Sequence, residues 1–385
     1  MIGKTLTLTS AGLAVGLAAT LLWPAAVAAG TGSWQQERAA AVAAYGAGNY
    51  DIAEARLLDA IDRAKSFGPN DPRLAATLND LALTYFRLGS YTEAEPLHKR
   101  ALEIRERTYG IDDPKVAAIL NDLAFLYVAQ GRTTEAGRLH GRALAIREKA
   151  YGPAHPVVAE SLNNIGGLYL ELDRYAEAEA YYIRALGIVG ESLGESHPFT
   201  MASLNNLAAV YDEQGRYSEA EPLYRKALGI GEATLGEHPQ VAASLNNLAL
   251  HYDAQGKLDD AEPVYLRALK ITRKTLGAEH PDVATNLDHL GMLYATQRKF
   301  NLAESHYRQA IEIRRARLGA AHVLVAQSLE RYSLLLTEMG RVAEAQQARA
   351  QASSIRVKAA QANRVEIVDE APKGKPAVKS IVTSG

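Results

Sequence analysis

Residues 79–120, NDLALTYFRLGSYTEAEPLHKRALEIRERTYGIDDPKVAAIL, can be laid over 121–162, 163–204, 205–245, 246–287 and 288–329, with one residue missing in 205–245 alone. A fixed period of this length is the mark of a solenoid, because one such unit cannot bury its apolar face until a neighbour stacks on it. Within each period apolar residues recur at three- and four-residue spacing in two segments. A Gly-containing turn such as Gln214-Gly215-Arg216 separates the two, and Leu-Gly-x-x-His-Pro closes the unit. Each period therefore predicts one helical hairpin.

The punctuation has physical causes. Gly110, Gly152, Gly194, Gly236 and Gly277 fall where a helix is expected to end in a left-handed residue. Pro114, Pro156, Pro198, Pro239 and Pro281 suit the first turn of the next helix, where a missing N–H leaves nothing unsatisfied. An amide pair is harder to explain. Leu-Asn-Asn-Leu-Ala occupies 204–208 and 245–249, and Leu-Asn-Asn-Ile-Gly occupies 162–166. Asn costs about 0.5 kcal/mol relative to Ala inside a helix, so something in the fold must offset it.

Here the residues resemble a family. Leu204, Leu207, Ala208, Tyr211, Gly215, Ala220, Tyr224 and Ala227 follow the tetratricopeptide repeat (TPR) pattern. The period, with LNNLA, QG, EAEPLY and LG..HP, is similar in particular to the longer repeats of kinesin light chains. The resemblance implies an all-α fold, a TPR superhelical solenoid of about eight helix pairs. Repeats are expected near 37–78, 79–120, 121–162, 163–204, 205–245, 246–287, 288–329 and 330–361, within a solenoid over 30–361. Residues 362–385 carry no helical period and read as a disordered tail.

Residues 1–29 differ from the rest. Lys4 precedes an uncharged apolar run from Leu6 to Trp23, Pro24 breaks it, and small residues offer cleavage after Ala28 or Ala29. That is the layout of a signal peptide and places the chain outside the cytoplasm, periplasmic or secreted. The alternative is an uncleaved membrane anchor over residues 5–23. A formal net charge of −2, from 42 basic and 44 acidic residues with no dense basic run, argues against nucleic acid as a partner. The absence of cysteine excludes disulfides, thiolate metal sites and Cys nucleophiles.

In the TPR framework the first helix of each pair lines a concave groove. On that basis Asn79, Asn121, Asn163, Asn164, Asn205, Asn206, Asn246 and Asn247 are candidates for an amide column that hydrogen-bonds an extended peptide. The competing reading has these amides bridge neighbouring helices. Phe86 and Phe125 add an apolar floor, while Asp212 and Asp253 make the middle acidic, so the expected partner is a protein or peptide, basic or amphipathic. Arg87 and Arg331 are the cations that stand out at such positions, too sparse for a carboxylate clamp.

Catalytic and metal readings fare worse. GESLG, Gly190 to Gly194, matches the Gly-x-Ser-x-Gly elbow of hydrolases, but Ser192 ends a helix here and is replaced by Thr108, Ala150, Thr234 and Thr275 in other repeats. His155, His197, His238 and His280 occupy equivalent loops, about 10 Å from one to the next, too far for one zinc ion, and are expected to cap helices. No cofactor and no metal are expected.

Overall fold

The structure, a computed structural model, describes residues 32–363. The signal-like segment 1–29, the alternative anchor 5–23 and residues 364–385 of the predicted tail lie outside the described residues. Sixteen α-helices form eight pairs among the described residues: α1 Gly32–Gly46 and α2 Tyr50–Ala64, α3 Pro72–Arg87 and α4 Tyr91–Tyr109, α5 Pro114–Ala129 and α6 Thr133–Tyr151, α7 Pro156–Glu171 and α8 Tyr175–Leu193, α9 Pro198–Glu213 and α10 Tyr217–Leu235, α11 Pro239–Ala254 and α12 Leu258–Leu276, α13 Pro281–Thr296 and α14 Phe300–Leu318, α15 Val323–Glu338 and α16 Val342–Ala362. The fold is all-α. None of the described helices is long and apolar enough to cross a membrane.

The described residues fall into two compact units. One holds residues 64–83 and 97–236, the other residues 33–63, 84–96 and 237–363. In the first unit the pairs join through shared apolar clusters. Leu170 and Tyr182 of one pair pack with Leu207 and Val210 of the next, burying side chains worth roughly 1.5–3 kcal/mol each.

The turn inside each pair is a Schellman motif. Arg132 N–H donates to Tyr127 O at 2.8 Å and Gly131 N–H to Val128 O at 2.9 Å, and the same pair of bonds recurs at Arg216 to Tyr211 and Gly215 to Asp212. The cation that follows the glycine then lies over the Tyr ring: Arg132 over Tyr127 at 3.8 Å, Arg216 over Tyr211 at 4.0 Å. Its guanidinium also meets a Glu three residues on, as in Arg132–Glu135 and Arg216–Glu219. So the repeated Tyr anchors the turn as well as the core.

The other end of each pair departs from expectation. Gly152, Gly194 and Gly277 have φ of 84°, 90° and 93° but ψ of 157°, 158° and 155°, not the left-handed helical basin. Only glycine adopts that backbone freely, and it turns the chain out of the helix toward the next His-Pro. There the histidines cap, as predicted: Nδ1 of His155, His197, His238 and His280 accepts the N–H two residues on, at 3.1–3.2 Å.

Two helical glycines are set by tyrosines. A Cβ on Gly166 would lie 2.7 Å from Cε1 of Tyr182, and one on Gly291 would lie 2.8 Å from Cε1 of Tyr307. Both rings are nearly fully buried and cannot give way. Gly166→Ala is therefore expected to lower stability by about 1–3 kcal/mol through overpacking, despite the better helix propensity of Ala. Urea unfolding of the two proteins checks this; a more stable variant would show that the ring moves.

Candidate functional site

The doubled amides divide by position. The first Asn of a pair faces the seam between consecutive first helices. Asn79 Nδ2 donates to Asp122 Oδ2 at 2.8 Å, Asn163 Nδ2 donates to Ser203 Oγ at 3.1 Å, and Asn246 Nδ2 donates to Asn286 Oδ1. Asn79 and Asn121 also accept from the Nδ1–H of His98 and His140 on their own second helices, at 2.9 and 2.8 Å. Asn205 is buried at the same register. These amides are committed within the stack, and those bonds offset their poor helix propensity.

The second Asn behaves differently. Asn164 is buried, but Asn206 in the first unit and Asn247 in the second are half-buried, with no hydrogen-bond partner among the described residues. In the early repeats this register holds Asp80 and Asp122, both buried. Burial pushes the Asp122 carboxyl up to about 7, against the Asn79 bond that pulls it down. Phe86 and Phe125 are half-buried, Phe125 packing edge-on against His140 at 5.2 Å. Asp212 and Asp253 are half-buried as well, and burial raises the Asp253 pKa. Tyr224 is hydrogen-bonded to Asp212, while the Tyr265 hydroxyl close to Asp253 is buried and unpartnered among the described residues.

Two features of the interior were not anticipated from the sequence. His98 and His140 are buried imidazoles whose pKa values desolvation pushes down to about 3. They stand where later repeats have Tyr182 and Tyr224, and that change of residue type was the available signal. In the second unit Asp288 replaces the seam Asn and is fully buried against Arg314, with Arg331 at 3.1 Å and Ser328 Oγ donating at 2.9 Å. Arg331 thus belongs to an internal ion network. Arg87 is likewise engaged, its Nε donating to Tyr45 Oη at 3.0 Å.

Ser192 donates to Ile188 O at 2.5 Å, as Thr108, Thr234 and Thr275 do to the carbonyls four residues earlier in their own helices. It is a back-bonded helix-end hydroxyl. No group of three or more His, Asp or Glu side chains suited to a metal ion occurs among the described residues.

Repeated helix pairs with a Schellman turn and a His-Pro start define a helical-repeat protein, a class that presents surfaces more often than reaction centres. The chain belongs to the tetratricopeptide repeat family: its sequence profile matches residues 36–107, 74–149, 115–189, 158–233, 204–273 and 240–316. Among solved structures it is similar to BtubC (BKLC) from P. vanneervenii, with 25% identity over 58% of this chain and 91% of that one, at a TM-score of 0.49. It is also similar to repeats of a putative kinesin light chain from Podosopora anserina, 28% identical over 53% of this chain and 96% of that one, at a TM-score of 0.43. A Rap protein complexed with competence and sporulation factor shares the fold at 17% identity, covering 86% of this chain and 87% of that one with a TM-score of 0.62. A comparison with curated proteins gives no match.

Proposed function

We propose that this protein is a non-catalytic interaction scaffold whose first-helix face binds a protein or peptide segment, basic or amphipathic. The observation that carries the reading is the division of labour within the Asn pairs. The first amide holds the stack, which leaves Asn206 and Asn247 half-buried and unpartnered, with Asp212 and Asp253 six residues further along the same helices. An amide offers donors and an acceptor to an extended backbone, and the carboxylates favour a cationic neighbour. A partner-bound Rap protein of like fold is in keeping with this use of the architecture. The signal-like residues 1–29 support action outside the cytoplasm; retention of residues 5–23 would instead make the protein a membrane-anchored adaptor, and carbonate extraction of membranes separates the two.

Fluorescence anisotropy with two labelled peptides, one of alternating Lys and Leu and one of alternating Glu and Leu, tests the binding face. The basic peptide is expected to bind tighter. Asn206→Ala alone is expected to weaken binding at the first unit's face about tenfold, the equivalent of roughly 1.4 kcal/mol. Tighter binding of the acidic peptide, or equal affinity of the Asn206→Ala variant with unchanged melting, would overturn the proposal.

A further inference from the structure

In a solenoid each repeat touches mainly its sequence neighbours. The second compact unit contains a departure from that rule. It packs the N-terminal segments 33–63 and 84–96 together with repeats more than two hundred residues away in sequence.

The contacts form two adjoining rows. In the first, the α1–α2 turn meets the start of α13 and the end of α14. Gly48 sits so close to Pro281 that a Cβ would fall 2.5 Å from the proline Cδ and 3.0 Å from Cδ2 of His280. Beside it, Arg317 donates to Asn49 Oδ1 while its Nε holds Glu279 O at 3.1 Å. In the second, the α3–α4 turn meets the start of α15 and the end of α16. The Nδ1 of His322 accepts from Leu324 N–H, which leaves Nε2–H to donate to Arg87 O at 3.1 Å. Asn363 clamps the same turn from the other side, with Nδ2 donating to Gly89 O at 3.2 Å and Oδ1 accepting from Tyr91 N–H at 3.0 Å. Thr92 Oγ1 donates to Ala362 O at 2.7 Å.

The equivalent turn glycines elsewhere show what is special here. Gly131, Gly215, Gly256 and Gly340 have the same positive φ, but a Cβ at any of them would meet nothing within 4 Å, whereas Gly48 and Gly89 are covered. The caps show the same contrast: His155 and His197 perform the capping role of His280 and His322 without being buried by a distant turn.

We propose that the two N-terminal turns are a strap fastened onto the His-Pro and His-Val starts of α13 and α15, and that release of the strap is a conformational step separate from unfolding of the repeats. The fastening draws on hydrogen bonds to backbone carbonyls that water can satisfy equally well once the strap lifts. Its hydrogen bonds exchange for bonds to water when it lifts, so it opens at lower free energy than the Leu and Ala seams inside each stack. When lifted it uncovers the edge formed by His280, Pro281, Arg317 and His322.

Hydrogen–deuterium exchange on the full chain tests this with three variants. Gly48→Val introduces the clash with Pro281; Gly131→Val imposes the same backbone strain at an open turn and controls for it; Asn363→Ala removes two hydrogen bonds without touching a turn. Gly48→Val is expected to speed exchange at least tenfold both at residues 45–53 and at 280–284, with Gly131→Val leaving both unchanged. Asn363→Ala is expected to do the same at residues 88–94. Confinement of the change to the mutated turn in Gly48→Val, or full protection of 88–94 in Asn363→Ala, would overturn the strap.

Discussion

Replacing His98 and His140 by Gln is expected to flatten the acid limb of the stability curve by about 5 kcal/mol between pH 7 and pH 4.5, relative to the unchanged protein. Both imidazoles are buried and stay neutral down to about pH 3 in the folded chain, but protonate near 6.5 once unfolded. The unfolded state therefore binds more protons across this window. The stability these groups lend is complete above about pH 6.5 and is lost as pH falls toward 3. At pH 4.5 each has forfeited two pH units of difference, about 2.7 kcal/mol. Asp122 acts in the opposite sense, since its folded value is raised to about 7: its contribution is present below the ordinary carboxyl range and is lost as pH rises through 7. That term is common to both proteins and cancels in the comparison. Glutamine retains an N–H for Asn79 and Asn121, so the seam keeps its bonds. Urea unfolding at pH 7, 5.5 and 4.5 provides the measurement, and parallel curves for the two proteins would show that the imidazoles reach solvent in the folded state.

Asp288→Ala is expected to destabilise the second unit by about 3–5 kcal/mol. The carboxylate is fully buried between Arg314 and Arg331, and burial already pulls the Arg314 pKa down. Removing the anion leaves a buried guanidinium without its counter-charge and Arg331 beside it. The preceding repeat shows how the same seam is built without charge: Asn246 bonds Asn286, whose Nδ2 donates to Thr272 Oγ1 at 2.7 Å. Thr272 and Arg314 occupy corresponding positions on their second helices. Asp288→Asn combined with Arg314→Thr should therefore recover most of what Asp288→Asn alone loses. A coupling above about 2 kcal/mol in this double-variant cycle is the expected result. Additive losses would mean that the two residues do not act as a pair, and that Ser328 or Arg331 carries the seam instead.

How much was legible beforehand varies with the range of the interaction. The hairpins were readable because each depends on residues close in the chain: Gly131 with Arg132 and Tyr127, His155 with Val157. The seam role of the first Asn was readable only as one of two possibilities. Whether Asn163 points at Ser203 or into a groove depends on the rotation of one first helix against the next, which no residue within the repeat encodes. The split between Asn205, buried, and Asn206, half-buried, is a consequence of that rotation. The ion network of Asp288 was visible as a break in the repeat pattern, but not as a network, because its members lie on three helices.

Local backbone preference and periodic apolar faces fix the repeat, the two helices of each pair, the His caps and the family pattern, so these could be read from residue order; the conformation of the closing glycines could not. Packing between distant segments sets which amides serve the stack, where a charge is buried, and that Gly48 and Gly89 rest on His280 and His322. Those outcomes rest on contacts between residues far apart in the chain, such as His322 with the Arg87 carbonyl, which no local backbone preference encodes.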